Sequence, residues 1–123
     1  MSSERRLDLT LQARDDIAEL LDTSAERFGQ ISRRRYEALV ARVLEDVRVD
    51  PRRPGSLARP ELGPGTRTYH FRFSRDRGRT DSGAVKSPRH LLVYETPDEH
   101  AVLVLRVLHD AMDIEQHVGA DSQ

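Results

Sequence analysis

The chain has 123 residues, 20 basic against 21 acidic side chains, and no cysteine. That length suits one domain, residues 1–123, able to bury roughly two-thirds of its unfolded surface, and the missing cysteines exclude disulfides, thiolate metal sites and cysteine nucleophiles. A net charge of −1 gives no bulk attraction to nucleic acid, and no apolar stretch approaches the ~20 residues that a bilayer helix needs. The start Met1-Ser-Ser-Glu-Arg-Arg6 leads into no apolar run of the signal-peptide kind, so a cytoplasmic protein is expected. Lys86 is the only lysine, a bias that GC-rich codon usage explains more simply than selection for bidentate anion binding.

Arg6-Leu-Asp-Leu-Thr10 alternates apolar and polar and reads as a short edge strand. Thr10 then offers a helix cap. Ala13, Ile17, Leu20, Leu21, Ser24 and Phe28 fall on one helical face opposite Arg14, Asp15, Glu19, Asp22 and Glu26, and Gly29 supplies a left-handed stop. A second amphipathic helix follows, with Tyr36, Leu39, Val40, Val43, Leu44 and Val47 inside. Arg33, Arg34, Glu37, Arg42, Glu45 and Asp46 lie outside, and the helix ends before Asp50-Pro51. So short a connection makes an antiparallel helical hairpin whose apolar stripes need a further partner. Pro51 to Gly65 carries four prolines and three glycines and reads as a loop, tacked down by Leu57 and Leu62. Thr66–Phe73 alternates as a strand, with Arg67, Tyr69, Phe71 and Phe73 on one face. A strand over Arg89–Glu95 is joined through the turn composition Thr96-Pro-Asp-Glu-His100 to a buried strand within Ala101–Leu108, apolar apart from Arg106. Asp110, Asp113 and Glu115 then favour a short helix from Ala111 to about Val118, leaving 119–123 as a tail. The fold class is α+β: a small twisted antiparallel sheet carrying an N-terminal helical hairpin, with a short C-terminal helix.

Arg106-Val-Leu-His109, followed by Met112-Asp113 and His117, closely resembles the C-terminal signature of the RelE/ParE toxin superfamily, in particular its ParE-like branch. Glu26-Arg27-Phe28-Gly29 is similar to that family's aromatic-glycine turn, Tyr36 to an aromatic of its second helix, and Glu61-Leu-Gly-Pro-Gly65-Thr-Arg67 to its loop entering the second strand. The resemblance covers Leu7 to Val118, and the element order above is also the superfamily's. One departure is Ser74–Pro88, longer than the usual tight turn; with its flanks Arg72 and Arg89 it holds six basic residues against two acidic. It reads either as a basic patch that touches nucleic acid or an acidic partner, or as a mobile solvated loop.

The resemblance implies the toxin of a type II toxin–antitoxin module involved in plasmid stabilization. Such a toxin binds DNA gyrase without being an enzyme, traps the cleaved DNA complex and blocks replication. The alternatives are a ribosome-dependent mRNA interferase, which would be a metal-independent endoribonuclease, and a degenerate toxin that keeps only antitoxin binding. A metal-free RNase needs an acid or base with cationic partners on one face, and the candidates here are thin: His109, with Arg106 and Arg67. In the ParE-like reading no residue is catalytic and the target surface comprises Arg67, Arg106, His109 and Asp113. Arg106 also reads as structurally anchored by a carboxylate such as Asp113, and His109 as a strand-end residue capping the next turn. The apolar stripe Ile17, Leu21, Phe28, Tyr36 and Leu39 is the expected antitoxin surface, for a cognate partner of ribbon-helix-helix, ParD-like type. The five histidines show no metal-ligand spacing, so no metal and no cofactor is expected.

Overall fold

Thr10 starts the first helix as its composition predicts: its hydroxyl accepts the Ala13 N–H at 3.0 Å. In the computed structural model, which describes residues 5–112 together with Ile114 and His117, helix α1 spans Leu11–Phe28. Gly29 stops it at φ 91°, where a side chain would be strained, and the same residue opens helix α2, Gln30–Val49. One glycine therefore reverses the chain and forms the hairpin.

Five strands complete the domain: β1 (Arg6–Leu9), β2 (Ser56–Ala58), β3 (Thr66–His70), β4 (His90–Asp98) and β5 (Ala101–His109). Their order is β1-β5-β4-β3-β2. β1 is an edge strand as expected, but it pairs parallel to β5, which makes the sheet mixed. The proline-rich segment is not all loop, because Ser56–Ala58 pairs antiparallel with β3. Of its two expected anchors only Leu62 is buried; Leu57 stands 62% exposed.

The third strand ends earlier than its alternation suggests. His70 Nδ1 accepts the Arg72 N–H at 3.0 Å, which turns Phe71–Ser74 into a 3-10 helix, so Phe71 enters the core while Phe73 stays outside under the Arg72 guanidinium. The fourth strand instead runs past Thr96 and Pro97. The register shifts between Glu95 and Asp98, so Pro97 sits at an irregularity where its missing N–H is tolerated. The hairpin turn is accordingly narrower than Thr96–His100.

A second register shift decides which way the last strand faces. Val93 lies opposite Arg106 and Tyr94 opposite Val104, so Leu105 is the extra residue of a bulge. Val102, Val104 and Val107 therefore face the helices, whereas Leu108 joins Leu62, Leu91 and Val93 on the other side. Strict alternation, which groups Arg106 with Val102, Val104 and Leu108, fails at this bulge. The main core lies between hairpin and sheet, where Leu39, Val43, Tyr69, Phe71, Leu92 and Tyr94 are buried. A side chain of this kind contributes roughly 1.5–3 kcal/mol when fully buried.

Segment 74–88 is not a solvated excursion. Ser74 and Gly78 are buried, a 3-10 turn spans Asp76–Gly78, and a Cβ added to Gly78 would meet the Leu39 backbone at 2.9 Å. The segment lies along α2, joined at one end by Arg77 to Asp46 and at the other by Arg35 to Ser82. The expected C-terminal helix over 111–118 falls largely outside the described residues. No described helix is long and apolar enough to cross a membrane.

Candidate functional site

A groove of about 800 Å³ opens between the tip of the hairpin and the His90/His109 end of β4 and β5. Helix α1 contributes Leu20 and Phe28, α2 contributes Arg35 and Tyr36, and Val85 to Ser87 form the opposite rim. The acids, Asp16 and Glu19, come from α1, and the cations are Arg27 at the end of that helix, Arg35 of α2, and Lys86 and Arg89 of the segment before β4.

Hydrogen bonds hold the floor. The Tyr36 hydroxyl accepts the Arg89 N–H at 3.2 Å and lies 2.8 Å from His90 Nδ1, so its own proton is placed on that nitrogen. The rings of Tyr36 and His90 meet edge to face at 5.5 Å, and those of His90 and His109 at 5.4 Å. Burial, reinforced by His109, pushes His90 down to about 4, so the ring stays neutral and accepts from Tyr36 near neutral pH. His109 Nδ1 accepts the Ala111 N–H at 3.1 Å, the turn-capping role that its position at a strand end suggests.

One wall of the groove is also the answer to an edge problem. β1 covers β5 only as far as Val104, and an uncovered strand edge leaves polar groups unpaired. The Thr10 hydroxyl donates to the Leu105 carbonyl at 2.7 Å, and Asp16 accepts the Val107 N–H at 2.9 Å. The same carboxylate grips Arg106 with two bonds, Nε to Oδ2 at 2.8 Å and Nη2 to Oδ1 at 3.1 Å. Asp110 forms a further knot beside the groove. The Arg89 guanidinium, and then His70 donating from Nε2 at 2.9 Å, hold its carboxyl below the usual carboxylate range.

This arrangement is a groove with a rigid floor whose titratable groups are committed to structural bonds. The comparisons with known proteins bear on what it serves. The sequence profile described as the ParE toxin of the type II toxin–antitoxin system parDE matches residues 7–114, nearly the whole chain. The chain belongs to the ParE toxin family. Among solved structures, the chromosomal ParDE toxin–antitoxin system from P. aeruginosa aligns with a TM-score of 0.61 at 14% identity. The match covers 88% of this chain and 98% of that one, a likeness of fold. No curated protein sequence matches.

In this ParE-family chain the expected target residues do not converge. Arg106 and His109 share β5, but Arg67 lies two strands away on β3, roughly 10 Å across the sheet. There Arg67 bonds Ser56 Oγ at 2.7 Å, beside the Tyr94 hydroxyl. Asp113 lies outside the described residues, and the carboxylate that anchors Arg106 is Asp16. Of the expected antitoxin residues, Phe28 and Tyr36 line the groove, with Leu20 in place of Ile17 and Leu21, which pack partly buried against the core. Leu39 is 1% exposed and is a core residue, not part of a docking surface.

Two acidic residues, Asp16 and Asp46, hold ion pairs with partners far away in the sequence. Asp46 is 2% exposed, although it is grouped above with the outer face of α2. The signal was present: Leu39, Val43 and Asp46 recur at helical spacing, as do Ala13, Asp16 and Leu20 on α1. An acidic residue on an apolar stripe marks a buried partner.

His90 makes stability depend on pH. Its folded pKa, about 4, lies below the ordinary 6.5, so the unfolded chain binds the extra proton. The contribution is complete above 6.5 and lost as pH falls towards 4; Asp110, also depressed, is lost only at still lower pH. The unfolding free energy from urea titration should fall across that window by roughly 2 kcal/mol, allowing for solvent reaching the ring. His90→Gln should flatten the profile. A slope that survives this substitution would assign the effect elsewhere.

Proposed function

We propose that this ParE-family protein inhibits DNA gyrase by stoichiometric binding in the cytoplasm and is neutralised by a cognate ribbon-helix-helix antitoxin. The observation that carries the reading is the ParE profile match over residues 7–114. The site geometry supports a binding role: His109 caps a turn, Arg106 is clamped by Asp16, and Arg67 is tied to Ser56. A proton-transfer nuclease needs such groups free and converging on one phosphate. For the antitoxin, the groove offers Phe28, 71% exposed, beside Leu20 and Tyr36, an anchor site for an amphipathic helix. The sheet edges β1 and β2 offer places where an added strand can pair.

Two assays run side by side test the reading. Purified protein should inhibit gyrase supercoiling near one-to-one stoichiometry and leave mRNA on translating ribosomes intact in primer extension. His109→Ala should weaken inhibition only as far as the turn at Ala111 is disturbed. A ribosome-dependent nuclease using His109 would instead lose ~10²–10⁴-fold in rate on that change. In-frame cuts that vanish with His109→Ala, with gyrase unaffected, would replace this proposal with the mRNA interferase. Inactivity in both assays with retained antitoxin binding would mark a degenerate toxin.

A further inference from the structure

The insertion between β3 and β4 changes the charge of one face of the molecule. Asp46 alone holds three guanidinium groups: Arg77 Nη1 at 2.9 Å, Arg42 Nε at 3.1 Å and Arg53 Nη1 at 3.5 Å. A single buried carboxylate cannot neutralise them, and two positive charges remain in excess. Further along, Arg35 of α2 binds Ser82 of the insertion, and Arg79 and Lys86 are exposed. Arg75 pairs with Asp76, which leaves six cations against Asp46 and Asp81 in a chain whose net charge is −1. These cations form a ridge because the insertion is docked along α2, not because they adjoin in sequence.

We infer that this ridge is a binding site for the phosphate backbone of duplex DNA. From Arg35 to Asp46 the helix rises roughly 16 Å. Over that length duplex DNA carries about five phosphates per strand, a number the ridge cations match. Arg42, Arg53, Arg77 and Arg35 are already held by bonds to Asp46 and Ser82, so little side-chain freedom is lost when phosphate binds. Arg77 keeps about half of its side chain exposed while it holds Asp46. Guanidinium groups suit phosphate oxygens, which they bind bidentately. Two other polyanion partners fit less well. A protein interface is anchored by desolvated aromatic or large aliphatic side chains, and a single-strand site by aromatics that stack on bases. Between Arg77 and Lys86 there is no aromatic residue, no Leu, no Ile and no Met, and the exposed Phe73 beside the Asp46 cluster has its ring occupied by the Arg72 guanidinium at 4.6 Å. Sequence-independent backbone binding needs none of these.

The site does not depend on gyrase being the target, and its test contains neither gyrase nor antitoxin, so the two readings fail separately. The probe is a fluorescently labelled mixed-sequence DNA duplex of about 20 base pairs, titrated with the protein at several salt concentrations and read by anisotropy. The protein is expected to bind with micromolar Kd at about 50 mM salt, with log Kd rising against log salt at a slope of about 3 to 4. Arg79→Ala/Lys86→Ala leaves the Asp46 cluster intact, and circular dichroism will show the fold retained. It should lower the slope by about 2 and raise Kd roughly 10- to 100-fold. Arg6→Ala/Arg14→Ala, which removes the same charge from β1 and α1, should change Kd less than about twofold. No binding at low salt, or equal loss in both variants, would overturn the assignment. Displacement of the DNA by poly-glutamate at matched charge would overturn it too, in favour of an acidic protein surface.

Discussion

Asp46→Ala should lower the unfolding free energy by about 3–5 kcal/mol, the cost of removing one partner from a buried ionic cluster. The carboxylate is 2% exposed and accepts the Ser74 hydroxyl at 2.7 Å, which itself meets the Tyr69 hydroxyl at 2.8 Å. It also carries Arg42, Arg53 and Arg77. Arg53 Nε is buried and without a hydrogen-bond partner among the described residues, so Arg53 depends on Asp46 for its compensation. Removing the carboxylate leaves three guanidinium groups repelling one another over a desolvated serine. The loss should appear as a fall in urea midpoint at constant slope. Asp46→Asn, which keeps an acceptor for Ser74, should recover about 1 kcal/mol of it. A loss below ~1 kcal/mol for Asp46→Ala would show that the insertion is held by apolar contacts such as Gly78 on Leu39 and that the cluster contributes little.

Phe28→Glu is expected to have the second largest effect, and on binding rather than stability. Phe28 is 71% exposed at the end of α1, so its replacement removes little buried area and the free protein should unfold at an unchanged midpoint. In a complex where an antitoxin helix fills the groove, the same position becomes a desolvated aromatic anchor. Substituting a carboxylate there buries an unpaired charge against the docked helix. Titration calorimetry with the antitoxin should show a loss of about 2–4 kcal/mol, roughly 30- to 1,000-fold in Kd. Phe28 separates docking from folding better than Tyr36, whose hydroxyl and ring hold His90 in the floor. Unchanged affinity would move the antitoxin off this groove, and the sheet edges would become the next place to look.

Features set by neighbours within a few residues were readable from the sequence alone. Thr10 caps α1 through Ala13, three residues on, and Gly29 reverses the chain because a side chain would strain its backbone. The stripes of both helices and the apolar run of β5 were legible because burial repeats at the period of the local structure. The family signature Arg106 to His109 was legible too, as a string. What that string does was not. Arg106 meets Asp16, ninety residues earlier, because β1 covers β5 only as far as Val104 and the open edge of β5 must find acceptors and donors elsewhere. Leu105 bulges and turns Val107 and Leu108 to opposite cores. Asp46 reads as a surface charge until the insertion folds back over α2 and brings Ser74 and Arg77 to it. These points follow from long-range contacts, because each satisfies a buried hydrogen bond or charge with a partner that no local periodicity can name.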